Sequence, residues 1–394
     1  MSINKTRLYF IDAIRAWAIL MMLQGHFIDG LLDHTYRDDS NILYMTWKYF
    51  RGITAPVFFT VSGFIFTYLL IRIPQTGWDN PRVKKGIKRG LELLAIGYLL
   101  RLNLLGLFKG EIYSSFYLVD VLHCIGLSIL GIIGVYVLTA NYRKWGFPMF
   151  LLSITLVLFV FEPWYKTANF HLLPQLIANY FTKANGSVFT ILPWFGYATF
   201  GSFVSVLFTR YKNSKLLYHY AIGLGLFTGA ILIFYSSDFF LSLSKYTGVQ
   251  LFADIFFNNY LFIRLGDVLV VFSIFMLFRR FIIHKTGLRI GQSTLSIYVV
   301  HFIILYGSFT GLGLYRYFHH SLGPWPIIMG AIVFMAVCSY FALKYEDNKT
   351  FLKDKLNIPV GSIKLQTHQT LLFSVSILRA LGIRVLRLFG MAKN

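Results

Sequence analysis

The sequence predicts an all-α, polytopic integral membrane protein with about ten transmembrane helices and both termini in the cytoplasm. Three observations predict it. Hydrophobic residues make up 56% of the 394 and charged residues only 13%, about half the charged share of a soluble domain. Mean hydropathy is +0.62. The apolar residues gather in runs that can cross a ~30 Å hydrocarbon layer, near 10–32, 51–71, 87–108, 118–139, 146–161, 187–208, 216–236, 260–279, 292–312 and 325–344. Finally, Lys and Arg collect between alternate runs. A soluble chain of this composition could not cover its core, and a disordered one would be far more polar. The runs do not alternate in polarity as barrel strands do. They read as helices, which satisfy their backbone polar groups internally.

The net charge is +21. On a soluble chain this would suggest nucleic acid, but position decides otherwise. With the N-terminus inside, 26 of the 37 Lys and Arg fall on the inner side, eight outside and three (Arg15, Arg101, Arg264) within spans. That is the positive-inside pattern of a multi-pass protein of the cytoplasmic membrane. The bilayer is the expected partner and nucleic acid is not. Residues 1–345 read as one transmembrane domain and 346–394 as a basic cytoplasmic tail. Within the tail, 371–389 is apolar but carries Arg379, Arg384 and Arg387. It reads as an amphipathic helix on the inner leaflet, with an eleventh span as the alternative. Longer outer loops are expected at 33–50, 162–186 and 237–259. Asp12 and Arg15 interrupt the first run, so it is expected to remain in the mature protein. Cys124 and Cys338 lie in apolar runs and indicate no disulfide framework.

Ionisable residues within spans are costly, so each is a functional candidate. In the first run, eleven residues place His26 within about 20° of Arg15 and ~16 Å further along the helix. Asp12 and Asp29 fall on the same face. Asp12 and Arg15 can also pair simply to anchor the helix end. Other runs carry Asp120 and His123, Arg264 and Asp267, and Tyr298 and His301 towards the outer side, with His34 in the first outer loop. Together they suggest a polar cavity with several imidazoles, the side chains best suited to move protons near neutral pH. His319 and His320 sit in a loop and are expected to be solvated. No metal is expected, because no H-E-x-x-H helix or carboxylate–histidine set is present. A G-x-S-x-G elbow and nucleotide-binding loops are also missing.

Several segments resemble the transmembrane acyltransferase superfamily, which includes acyltransferase type 3 and the heparan-alpha-glucosaminide N-acetyltransferase-like family. They are Arg7…Ile11-Asp12…Arg15…Met21-Met22…His26, Thr54-Ala55-Pro56…Ser62-Gly63, Val119-Asp120…His123…Gly126, Leu192-Pro193-Trp194-Phe195-Gly196-Tyr197 and Leu295-Ser296…Tyr298…His301. The Pro-Trp-x-Gly element points to the heparan-acetyltransferase-like branch. That branch has asparagine at the place of His26 and a histidine in the following loop, so His26 and His34 are both candidate bases. The resemblance covers residues 5–345. It implies transfer of an acyl group from cytoplasmic acyl-CoA, as acetyl-CoA, to a hydroxyl or amine of a glycan or amino sugar outside. In that scheme Asp29 or Asp120 orients the base. Asp120, His123, Arg264, Asp267, Tyr298 and His301 face the acceptor or the oxyanion. Arg82, Lys84, Lys85, Lys88 and Arg89 hold the CoA phosphates, and Asp12 and Arg15 organise the inner mouth. A homodimer is an admissible assembly.

The alternative is a transporter or flippase for a polar solute. It is disfavoured by the lack of matched Pro- or Gly-broken helices in two halves. The inferred orientation is testable by impermeant maleimide labelling of intact cells. Lys245→Cys and Arg316→Cys should react, whereas Lys85→Cys and Lys285→Cys should react only after permeabilisation.

Overall fold

The computed structural model describes residues 7–140, 145–168, 170 and 172–352. The tail segment 371–389, Arg143 and Lys144 lie outside the described residues. The main helices are α1 (Tyr9–Leu31), α2 (Ile42–Leu70), α3 (Pro81–Arg101), α4 (Val121–Leu138), α5 (Gly146–Val160), α6 (Ile191–Arg210), α7 (Leu217–Phe234), α8 (Ser236–Thr247), α9 (Gln250–Phe257), α10 (Tyr260–Leu277), α11 (Lys285–Gln292) and α12 (Thr294–Tyr306). The helix α13 spans Pro324–Leu352. No strand occurs among the described residues. Seven helices (α1, α2, α4, α6, α7, α10 and α13) are long and apolar enough to cross a membrane. The pair α11–α12, bent by 73°, passes the same test when taken together, as a broken span or a re-entrant loop. All ten apolar runs therefore contain a helix. The chain divides into two compact units, residues 1–341 and 342–394.

Three boundaries differ from the sequence reading, each for a local reason. First, α2 starts at Ile42 rather than near 51, because the Asn41 side chain accepts from the Leu43 and Tyr44 N–H groups at 3.0 and 3.2 Å. Such a cap satisfies N–H groups that the first helical turn leaves unpaired. Second, α3 starts at Pro81 rather than 87, capped by Asn80. The basic residues 82–89 are thus helical, not a loop. Asn80 is itself buried and donates to the Leu70 carbonyl (2.9 Å) and to the Tyr136 hydroxyl (3.1 Å). That locks the α2–α3 turn against α4. The same run stops at Arg101 because the chain at Leu102 and Leu104 pairs with the backbone of Phe309 (3.0 and 2.9 Å). Third, α12 stops at Tyr306, where Gly307 takes φ +71°. A Cβ there would lie 2.2 Å from the Gly313 nitrogen.

Without water between helices, close packing and polar contacts hold such a bundle together. The main contacts run through small residues. In α2–α6, Gly63 lies on the Ala198 carbonyl and Gly201 on the Thr60 carbonyl; a Cβ at either would be 1.9 Å from that oxygen. Gly90 and Gly126 bring α3 and α4 together, and Gly229 and Gly266 do the same for α7 and α10. Gly291 of α11 rests on the Asp12 carbonyl of α1. An apolar core of Phe10, Ile14, Val57, Phe64, Phe208 and Phe272 lies among α1, α2, α6 and α10. On α7, by contrast, Tyr220, Leu224, Phe227 and Phe234 are exposed, as a lipid-facing surface requires.

The contact between α2 and α6 gives a direct test. Gly63→Ala should lose about 1–3 kcal/mol of stability by overpacking, read as a lower Tm in detergent micelles. Gly223→Ala, with nothing within 4 Å of the new Cβ, should not lower it.

Candidate functional site

Because α1 spans the bundle, it presents polar residues at both ends. At its start, Arg7 Nε donates to Asp12 Oδ2 (2.8 Å) and Arg15 lies 4.0 Å from Asp12. Arg15 also donates to the Thr294 hydroxyl (2.8 Å), just past the α11–α12 bend. The Asp12–Arg15 pair thus joins α1 to the start of α12. On α3, Lys84, Lys85, Lys88 and Arg89 are exposed and Arg82 is half-buried. Lys88 and Arg89 are 4.0 and 3.7 Å from Glu92.

Near the other end of α1, His26 is half-buried. Its Nδ1 is 3.0 Å from the Tyr306 hydroxyl, and its ring is 5.5 Å from that of His301. His301 is 0% exposed. Its Nδ1 bonds the Tyr298 carbonyl, which can only accept. That nitrogen therefore carries the proton and Nε2 is a bare acceptor, buried without a partner. The Tyr298 ring lies 4.7 Å from His301. The Phe302 ring packs tilted against Tyr306 at 4.9 Å, and the Arg101 guanidinium sits 6.0 Å from the Phe302 ring. Arg101 holds Asp120 through two 2.5 Å hydrogen bonds. These aromatic contacts join His26, Tyr298 and His301 to the Arg101–Asp120 pair.

Other sequence-predicted residues sit elsewhere. The Asp29 carboxylate is taken by Arg51 (2.6 Å), with Arg37 at 3.9 Å, and Asp120 by Arg101, so His26 is oriented by a tyrosine and not by either acid. Exposed His34 lies in the turn after α1, its ring tilted against that of His320 at 4.2 Å. His123 is fully buried; its Nδ1 accepts from the Asp120 N–H (3.0 Å) as part of the α4 cap. Gly97 and the Tyr98 ring, 4.3 Å away, enclose it. Arg264 and Asp267 pair at 2.8 Å on α10, and Tyr49 of α2 donates to Asp267 at 2.6 Å. Among the described residues, no three His, Cys, Asp or Glu are placed to share a metal ion.

Sequence reasoning missed Tyr306, Arg51 and Arg37. Tyr306 is two turns beyond Tyr298 at the end of an apolar run, which was the available signal. His320, expected to be solvated, is instead half-buried. Arg37 donates to its Nδ1 at 2.7 Å. Desolvation, and the Arg37 charge beside it, hold this imidazole below its ordinary pKa.

Comparison with known proteins adds two findings. The family described as heparan-alpha-glucosaminide N-acetyltransferase, catalytic, matches residues 7–237. Glucans biosynthesis protein C of Escherichia coli (strain SMS-3-5 / SECEC) is 32% identical over 83 residues, which are 20% of this chain and 22% of that protein.

The Arg101–Asp120 pair supplies a stability test. Removing one partner of a buried pair strands the other charge, at about 3–5 kcal/mol. Arg101→Met should therefore lower Tm in micelles strongly, and Arg101→Met/Asp120→Leu should recover most of the loss. A double variant as unstable as the single one would show that the pair's charge is not the cause.

Proposed function

The chain belongs to the heparan-alpha-glucosaminide N-acetyltransferase catalytic family, a family of membrane acyltransferases, and from that premise we propose that it moves an acetyl group from cytoplasmic acetyl-CoA to a glycan or amino sugar across the inner membrane. The family description supports an amino-sugar acceptor. The relative's name supports a glucan acceptor, although only 22% of that relative is matched. The basic residues of α3, with Asp12 and Arg15 at the start of α1, form the donor end. The positive-inside charge pattern puts that end in the cytoplasm, together with both termini and the basic tail. His26 marks the acceptor end, ~16 Å further along α1.

One observation carries the reading: the Nδ1 of His26 is engaged by Tyr306. When Nδ1–H donates to the tyrosine oxygen, Nε2 is left as a free base. The acceptor oxygen or nitrogen attacks the thioester carbonyl as Nε2 takes its proton; the C–S bond then breaks, and the thiolate takes up a proton to leave as CoA thiol. Tyr306 fixes the ring orientation. The bare Nε2 of His301 can accept from a second acceptor hydroxyl. Tyr298 and the Arg101–Asp120 pair border this acceptor end. His123, Arg264 and Asp267 act at one remove, holding α3–α4 and α2–α10 around it. Of the two candidate bases, His26 is favoured. It is half-buried and held in one orientation, whereas His34 is exposed on the rim.

The test is acetyl transfer in proteoliposomes from labelled acetyl-CoA, with glucosamine and a linear glucan as acceptors. His26→Gln should lose about 10²–10⁴-fold in kcat, and His34→Gln far less. Wild-type rates in His26→Gln would remove it as the base. Solute counterflow without CoA release would replace the enzyme with a transporter.

A further inference from the structure

A general base that takes a proton becomes a cation unless it passes a proton on. A buried imidazolium needs a negative partner to offset its desolvation. His26 has none in contact: Asp29 is held by Arg51 and Arg37, and Asp120 by Arg101. Instead, a series of titratable rings leads from His26 to the surface. Tyr306 meets Nδ1 at 3.0 Å. Ring centroids then follow at 5.8 Å for Tyr306–Tyr315, 4.4 Å for Tyr315–His319, 4.0 Å for His319–His320 and 4.2 Å for His320–His34. Tyr306 and His320 are half-buried, and Tyr315, His319 and His34 are exposed.

The backbone builds this arrangement. Gly30 leaves room for the Tyr315 ring; a Cβ there would lie 3.1 Å from it. The loop carrying the histidines is tied to the end of α1 by His320 N–H to the Gly30 carbonyl (3.2 Å), Leu322 N–H to the Leu31 carbonyl (2.9 Å) and Asp33 N–H to the Leu322 carbonyl (3.0 Å). The charged groups facing the path are Asp29 of α1, Asp33 and Arg37 of the turn, Arg51 of α2 and the Arg101–Asp120 pair. His320 Nδ1 lies between the Arg37 guanidinium (2.7 Å) and the Leu32 carbonyl (3.2 Å), which hold the ring in place.

We propose that Tyr306, Tyr315, His319, His320 and His34 form a proton relay that keeps His26 neutral through the reaction. This rests on the acetyltransferase reading above. As Nε2 takes the acceptor proton, Nδ1–H passes to Tyr306, whose own proton moves outward to the exposed imidazoles. A bridging water closes each step where polar atoms do not meet directly. As the C–S bond breaks, the relay runs back: Nδ1 regains a proton from Tyr306 and Nε2–H protonates the thiolate. Acceptor and thioester thus become product and CoA thiol with no net proton. An ammonium acceptor brings one extra proton, which leaves to water from His34.

The experiment measures acetyl transfer to glucosamine by the full chain in proteoliposomes, in weak buffer, with and without added imidazole. His319→Gln/His320→Gln should lose about tenfold in kcat with an unchanged KM for acetyl-CoA. Imidazole should restore the rate, because a diffusible base replaces the surface end of the relay. Tyr306→Phe should lose rate without rescue, since its step is enclosed. Wild-type rates in the double variant, or a loss that imidazole leaves in place, would overturn the relay while leaving the acetyltransferase reading intact. A wild-type protein that transfers no acetyl group to glucosamine or glucan would overturn both.

Discussion

A charged side chain among membrane helices must find its partner inside the bundle, and much of this structure follows from that constraint. Water cannot share the load there. Near the His26 end, each arginine within a span has a carboxylate. Asp29–Arg51 joins α1 to α2. Arg101–Asp120 closes the chain between α3 and α4. Arg264–Asp267, with Tyr49, joins α10 to α2. At the opposite end, Asp12, Arg15 and Thr294 join α1 to α12. These ties work together with the glycine contacts. A hydrogen bond of 2.5–2.8 Å between side chains of neighbouring helices requires the backbones to come close, and Gly25 and Gly52 leave that room beside Arg51 and Arg264.

Pairing the acids with arginines leaves the imidazoles without ionic partners, and that sets the chemistry of the site. His26, His301 and His123 are positioned by neutral groups: a tyrosine hydroxyl, a carbonyl and a backbone N–H respectively. An acid beside His26 would favour a standing positive charge. A tyrosine orients the ring equally well without doing so, and it can give and take a proton through one oxygen. The proposed site can therefore stay neutral while the permanent charges remain confined to pairs.

Much of this architecture was legible in the sequence. The ten apolar runs each contain a helix, because a length of apolar residues is a local property. The polar face of α1 was legible for the same reason: 3.6-residue periodicity alone aligns Asp12, Arg15, His26 and Asp29. Partners were not legible. Asp29 meets Arg51 across a helix–helix contact, and Tyr306 meets His26 across 280 residues. Neither leaves a periodic trace. The helical start of α3 was hidden because Arg82–Arg89 lowers hydropathy there, and the boundary is set by Asn80 and Pro81 rather than by apolar character. The break at Ser293 was hidden because it comes from Gly291 against the backbone of α1, a tertiary contact.

Among the described residues, the two fully buried histidines differ in a way that limits what each can do. A carbonyl only accepts, so His301 keeps its proton on Nδ1 and offers Nε2 as a lone pair. A backbone N–H only donates, so His123 holds a lone pair at Nδ1 and its proton sits on Nε2. His301 is therefore an acceptor beside His26, able to take a hydrogen bond from a hydroxyl. His123 instead has an enclosed donor against Gly97 and the Tyr98 ring, with its one acceptor spent on capping α4. A single change of hydrogen-bond partner, carbonyl for N–H, thus separates a residue suited to the site from one that builds its wall. Residue type, which the two share, could not separate them.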